Sequence, residues 1–408
     1  MNKTINNYLE NSQKNKCYKT LIMVLLISEL VLVNSRVIPY STYVSSLLID
    51  LFILLRTKKI TRAAVLLLFI AEIAFLGGIF LSIFNRISNR NFLYCIAYGL
   101  NMLAFISFSE LSGEKLDEES LTKIMKILFA FGVFSCIYNV VKNYSLFLTL
   151  NLAINSYSIS FSSFFYNRNT FASMLGLYSF AYLYLIAKEE KKAFYVIAYL
   201  FLLSNVWFTF SRDGIAFEII LLIVFVSFQI GREREKRKYV LLLLAVILST
   251  IIAVLIINRN IVFIRHFIIR RDNTDSLSIR SQLWHSAIDS FLKQPFVGYG
   301  PASGEYVIKR YLGNTLLSSF HNTYLEILVY GGAVFALVHI VVIKKLFNAV
   351  SRIKRKDILL YQLIVALLIA YFVYSLFETS MLFALGGKGE LTTILVYLIP
   401  MLYAKEDY

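Results

Sequence analysis

The apolar residues of this chain fall in long blocks separated by short basic clusters, and that pattern limits the fold more than any motif does. A helix needs about 20 apolar residues to cross a bilayer, where every backbone polar group must be paired internally. Such windows occur near residues 20–33, 37–55, 63–84, 92–109, 121–141, 170–187, 193–210, 214–230, 239–257, 322–343, 359–377 and 391–404. With 58% apolar and 16% charged residues and a mean hydropathy of +0.67, the chain lacks the charge to cover a water-soluble surface. A soluble enzyme, a DNA-binding domain and a disordered chain are excluded together. The expected fold is all-α, a polytopic integral membrane protein of about twelve transmembrane helices.

The 41 basic and 25 acidic residues leave a net charge of +16, which in this setting reads as positive-inside bias and not as nucleic-acid binding. One set of alternating segments holds Lys3, Lys14, Lys16 and Lys19, then Arg56, Lys58, Lys59 and Arg62, then Lys188, Lys191 and Lys192. It continues with Arg232, Arg234, Lys236, Arg237 and Lys238, and closes with Lys344, Lys345, Arg352, Lys354, Arg355 and Lys356. The opposite short loops hold Arg36, Arg86, Arg90, Arg168, Arg212 and Lys388. This asymmetry predicts a cytoplasmic (inner) membrane protein with both termini cytoplasmic, the first span being uncleaved. Cys17, Cys95 and Cys136 show no metal or disulfide spacing. One large extracytoplasmic loop is expected at about 258–320, and a shorter external stretch at 143–169 with an interfacial helix.

Three short constellations mark the expected outer face. Ser211-Arg212-Asp213-Gly214 sits at a tight turn between spans, where a guanidinium either anchors a helix at headgroup depth or grips a phosphate. In the large loop, Ile279, Leu283, Ala287 and Phe291 form a helical stripe, with Arg280 and Trp284 four residues apart beside it. Pro295 should end that helix, and Gly298 and Gly300 allow a tight bend. Finally, Ser319-Phe320-His321-Asn322-Thr323-Tyr324-Leu325-Glu326 enters a span that carries Gly331-Gly332. His321 is the preferred proton acceptor and His285 the reserve, since imidazole accepts a proton near neutral pH. His339 lies deep in a span and His266 in a basic-apolar run.

Ser-Arg at a short outer turn, Arg-x-x-x-Trp, Pro-x-x-Gly-x-Gly and His-Asn-x-Tyr-Leu, taken in that order, resemble the O-antigen ligase and Wzy-type polysaccharide polymerase family. Asn167-Arg168-Asn169-Thr170-Phe171-Ala172 and the late Phe377-Glu378 look like further landmarks of that family. The resemblance covers residues 167–378; the preceding region, 1–166, matches in general character, and 379–408 forms a last span and tail. Asp213 departs from the pattern, because relatives usually carry a small residue after the arginine.

The resemblance implies a GT-C-like, metal-independent membrane glycosyltransferase without a cofactor. It implies an undecaprenyl-diphosphate-linked oligosaccharide as donor, a glycan acceptor, membrane lipids around the site, and a flippase and a chain-length regulator as candidate partners. Arg212, Arg280 and His321 would be catalytic, with Arg168, Asn169, Trp284, His285, Asn322, Tyr324 and Glu378 binding substrate. The expected activity is polymerisation of repeat units into a capsular, exopolysaccharide or O-antigen chain. Ligation of glycan to lipid A-core is the near alternative, and a flippase or secondary transporter the distant one. A transporter would concentrate ionisable residues at mid-membrane, where Glu29, Asp50, Glu72 and Glu218 are the candidates.

Overall fold

The computed structural model describes residues 19–28, 41–57, 59–83, 90–111, 116–145, 161–209, 211–232, 276–313, 317 and 319–405. The expected span at 239–257, the loop residues 258–275 with His266, and residues 146–160 of the expected interfacial stretch lie outside them, as does Glu29. Among the described residues the chain is helical and contains no strand.

The helices follow the apolar blocks: α1 (Lys19–Ser28), α2 (Ser41–Thr57), α3 (Arg62–Ile83), α4 (Arg90–Leu111), α5 (Glu118–Lys142), α6 (Arg168–Lys188), α7 (Lys192–Phe208) and α8 (Arg212–Arg232). Two helices of the segment expected to be external follow, α9 (Ser276–Lys293) and α10 (Gly304–Leu312), then α11 (Thr323–Lys356) and α12 (Ile358–Tyr374). The last apolar block holds α13 (Gly387–Thr393), a π-helical turn (Ile394–Leu398) and α14 (Ile399–Tyr403). Among the described residues, six helices are long and apolar enough to cross a membrane, with α1, α7 and α12 shorter apolar helices. This is an all-α polytopic membrane protein. The π turn falls just ahead of Pro400, which has no N–H to offer the regular ladder.

Helix starts are fixed by side chains that accept otherwise orphaned backbone N–H groups. Asp117 caps α5 through Ser120 N at 2.8 Å, Asn167 caps α6 through Thr170 N at 2.8 Å, and Asp357 caps α12 through Leu360 N at 2.9 Å. α6 is the central helix, with every residue from Phe171 to Leu185 buried. Other helices keep an apolar face outward: Leu66, Phe69, Ile73 and Phe80 on α3, and Phe194, Ile197 and Leu200 on α7, are exposed. In a membrane protein that face meets lipid. α8 packs against α12, and Phe217 meets Tyr374 edge-on with ring centroids 5.6 Å apart.

α11 is 34 residues long, extending past the expected 322–343 into the basic stretch, and it breaks at Gly332, whose φ is +62°. The break frees backbone groups that the Pro295–Gly300 segment takes up. Ala333 N donates to Pro295 O at 2.7 Å, while Tyr299 N and Gly300 N donate to Val329 O and Tyr330 O at 2.8 Å each. A Cβ at Gly332 would strike the Phe296 carbonyl, and one at Gly298 (φ +62°) would strike the Val329 carbonyl. Both glycines are therefore demanded by backbone meeting backbone. Their effect is to dock α9 onto α11. The buried face of α9 is Leu283, Ser286, Ala287 and Ser290, whereas Ile279 of the expected stripe is exposed. Small side chains permit the close approach to α11 that a wholly apolar stripe of larger residues would prevent.

Candidate functional site

The starts of α6, α8, α11 and α13 and the C-terminal end of α12 meet at one end of the bundle, and α9 lies across them. These helix ends bring several of the expected site residues to one place.

Arg280, on α9, forms a two-pronged ion pair with Asp213 in the first turn of α8. Nη2 is 2.7 Å from Oδ2, and Nη1 is 3.3 Å from Oδ1. Burial works against the guanidinium charge, but the bonds and field of Asp213, joined by Glu378, more than offset it and hold Arg280 above its ordinary pKa. Asp213 is the residue at which the sequence departs from the family pattern, and it fixes Arg280 in orientation. Arg212, one residue earlier, opens α8 and is half-buried.

His321 lies in the turn before α11 with φ +49°, a left-handed conformation that a side chain other than glycine rarely adopts. Its backbone N–H donates to Ser319 Oγ at 3.0 Å, and its Nδ1 is 3.1 Å from Glu378 Oε1. The hydrogen bond to Glu378 raises the His321 pKa above the ordinary imidazole value; burial and Arg280 oppose the rise, and the charges of Glu378 and Glu326 reinforce it. Glu378 is itself buried, which would favour its neutral form, yet the hydrogen bond from His321 and the positive charges of Lys388, His321 and Arg280 bring its pKa below the ordinary carboxylate value. With Glu378 ionised, Nδ1 carries the proton and Nε2 is left as the accepting atom.

A second buried carboxylate ties the loops together. Glu326 Oε1 accepts from Ser319 Oγ at 2.8 Å, Thr379 Oγ1 at 2.7 Å and Phe320 N at 3.1 Å. Thr323 Oγ1 donates to Glu378 O at 2.9 Å and accepts from Ser380 N at 2.8 Å, so the His321 and Glu378 segments are laced together. Lys388, at the start of α13, donates to Thr379 O at 2.9 Å and lies 5.5 Å from the centre of the Tyr374 ring.

The other expected site residues take different positions. Trp284 Nε1 donates to Phe320 O at 3.1 Å, holding α9 against the residue next to His321. Asn322 caps α11 through Leu325 N at 3.0 Å, and Tyr324 donates to Phe372 O at 2.9 Å, so both have roles in packing. His285 is exposed on α9, outside the buried face that docks on α11. Arg168 and Asn169 form the half-buried first turn of α6. Glu326, which closes the Ser319–Glu326 stretch, and Lys388 were not among the expected site residues, although both left a trace in the sequence. Glu326 stands one turn after Asn322, and Lys388 is a lysine on the sparsely basic side of the charge pattern.

Residues 197–340 match the family model described as O-antigen ligase. The resemblance read from the motifs is shown over that stretch, which holds Arg212, Arg280, Trp284, His321 and Tyr324; Arg168, Asn169 and Glu378 lie outside it. At family level it supports glycosyl transfer of the ligase or polymerase type at a membrane. No curated protein matches the chain.

Proposed function

We propose that this protein polymerises undecaprenyl-diphosphate-linked oligosaccharide repeat units on the outer face of the cytoplasmic membrane, making a capsular, exopolysaccharide or O-antigen chain. The observation that carries the reading is the His321–Glu378 pair beside the Arg280–Asp213 pair. A base oriented by a carboxylate and a fixed guanidinium then share one end of the bundle.

The acceptor hydroxyl attacks the anomeric carbon of the donor sugar as the bond from that carbon to the diphosphate oxygen breaks. The bonding pair leaves with the lipid diphosphate, and the hydroxyl proton passes to His321 Nε2. Arg280 and Arg212 face the charge that gathers on the leaving group. Donors held in place before the reaction stabilise such charge most strongly. Asp213 uses two of the five Arg280 N–H donors and so leaves the others for a phosphate. Displacement in line inverts the anomeric configuration. Ligation of the glycan to lipid A-core would use the same donor site with a different acceptor, and it is favoured by the description of the matching family.

The test incubates purified protein with lipid-diphosphate oligosaccharide and resolves the lipid-linked products by size. Longer products without any core acceptor are expected. Extension only when a lipid A-core acceptor is added would replace polymerase with ligase, and no transfer to either acceptor would overturn the reading.

A further inference from the structure

Lys388 lies at the same end of the bundle but has no part in the chemistry above. It sits in the short Gly386-Gly387-Lys388-Gly389 segment that opens the last apolar block, half-buried, with its ammonium on the Thr379 carbonyl. Thr379 is the neighbour of Glu378 and also bonds Glu326 and Ser319, so the lysine grips the loop that presents the His321 partner. A lysine held beneath an aromatic ring and a carbonyl costs desolvation that the Thr379 bond alone does not recover. The carboxylates within its electrostatic reach are Glu378, Glu326 and Asp213, from three other segments.

We infer that Lys388 is a positioning residue for the reaction proposed above, bonded from the last helix to the Thr379 carbonyl so that its ammonium stands beside Glu378, the partner of His321. The inference rests on that reading for its catalytic meaning, but its electrostatic content stands on its own.

The sign follows from charge alone. The charged and titratable groups facing the His321–Glu378 pair are Arg280 from α9, Glu326 from α11, Tyr374 from α12 and Lys388 from α13, with Asp213 behind Arg280. Removing a positive charge lets the pair take up a proton more readily, wherever that proton resides. Neutralising Lys388 therefore moves the acid limb of activity to higher pH. Removing the negative charge of Glu378 moves it to lower pH.

The experiment compares wild type with Lys388→Gln, Lys388→Met and Lys388→Arg. Two readouts are used: the pH profile of lipid-linked glycan transfer, and the titration of His321 in protein labelled with 15N-histidine. The chain has four histidines, and a His321→Gln spectrum assigns the resonance. Gln keeps a donor for the Thr379 carbonyl and loses the charge, so it separates electrostatics from simple tethering. Gln and Met should each raise both midpoints by roughly half to one pH unit, and Arg should leave them in place. An unmoved His321 midpoint in folded Lys388→Gln protein would overturn the inference, as would an equal shift in Lys388→Arg. If Met does not fold, Gln carries the same test. If wild type transfers no glycan, the functional reading falls while the His321 titration still decides the role of Lys388.

Discussion

The two ends of the helical bundle both carry ion pairs, yet they complete them differently. At the end opposite the candidate site, Lys188 bridges Glu118 at 2.7 Å and Asp357 at 3.2 Å. Asp357 also caps α12 and accepts from the Tyr403 hydroxyl at 3.3 Å, so both of its oxygens are used. Lys345 pairs with Glu110 at the same end. At the site end, Glu378 and Glu326 are each bonded through Oε1, and among the described residues the buried Oε2 of each meets no hydrogen-bond partner. Buried polar atoms are normally paired, and those that are not tend to mark places under functional demand. Asp357 is held through both oxygens, whereas Glu378 and Glu326 are each held through one. His321 adds a left-handed backbone conformation, which costs on the order of 1–2 kcal/mol and persists because the Ser319, Trp284 and Glu378 contacts hold the turn.

If the contrast is functional, substitutions at the two ends separate transfer from stability. The largest effect is expected at His321 and Arg280. His321→Ala should lower the rate of glycan transfer about 10²–10⁴-fold, the usual contribution of a positioned base. Arg280→Ala should lower it about 10²–10³-fold, as loss of an oriented donor does. Rates on purified protein with unchanged expression check both; transfer retained in either variant would remove that residue from the site.

Glu378→Gln comes next. The hydrogen bond to the carboxylate holds the His321 pKa up, so its removal should shift the acid limb of activity to lower pH, while the maximal rate falls through lost orientation of the ring. A base is active only when deprotonated, hence the direction. An acid limb that stays in place would show that Glu378 does not set the titration of His321.

Gly332→Val tests the scaffold beneath both pairs. A side chain there meets the Phe296 carbonyl at a positive φ, and the docking of α9 on α11 should weaken by more than about 2 kcal/mol. A lowered thermal midpoint together with lost transfer is expected. An unchanged midpoint would mean that the broken helix does not carry α9.

The fold was legible because hydrocarbon leaves a chain so few choices. Apolar blocks such as 63–84 and 121–141 became α3 and α5 with boundaries shifted by only a few residues. Arg280 and His321 stood out by residue type and motif order, and the structure brings each against a carboxylate at one end of the bundle. What the sequence left dark is long-range pairing. Nothing local links Asp213 to Arg280 across 67 positions, or His321 to Glu378 across 57. Asp213 read as an anomaly although it is the residue that fixes Arg280. Asn322 and Tyr324 read as substrate contacts, while the one caps a helix and the other bonds a carbonyl. A motif residue at a helix start serves the backbone as readily as the chemistry, and spacing alone does not separate the two.

The smallest effect is expected at the opposite end, and it tests the contrast from its quiet side. Asp357→Ala removes the α12 cap, for which about 1 kcal/mol of stability is usual. Lys188→Met removes an ion pair whose lysine is 26% exposed, and solvent screening leaves such a pair about 0–1 kcal/mol. Both variants should lower the thermal midpoint slightly and transfer glycan at the wild-type rate. Their partners are ordinary fastenings, so no step of the reaction should feel their loss. A fall in transfer that matched that of Glu378→Gln, without a comparable loss of folded protein, would mean that charge at this end is coupled to the reaction. The functional contrast between the Asp357 and Glu378 ends would then have to be abandoned.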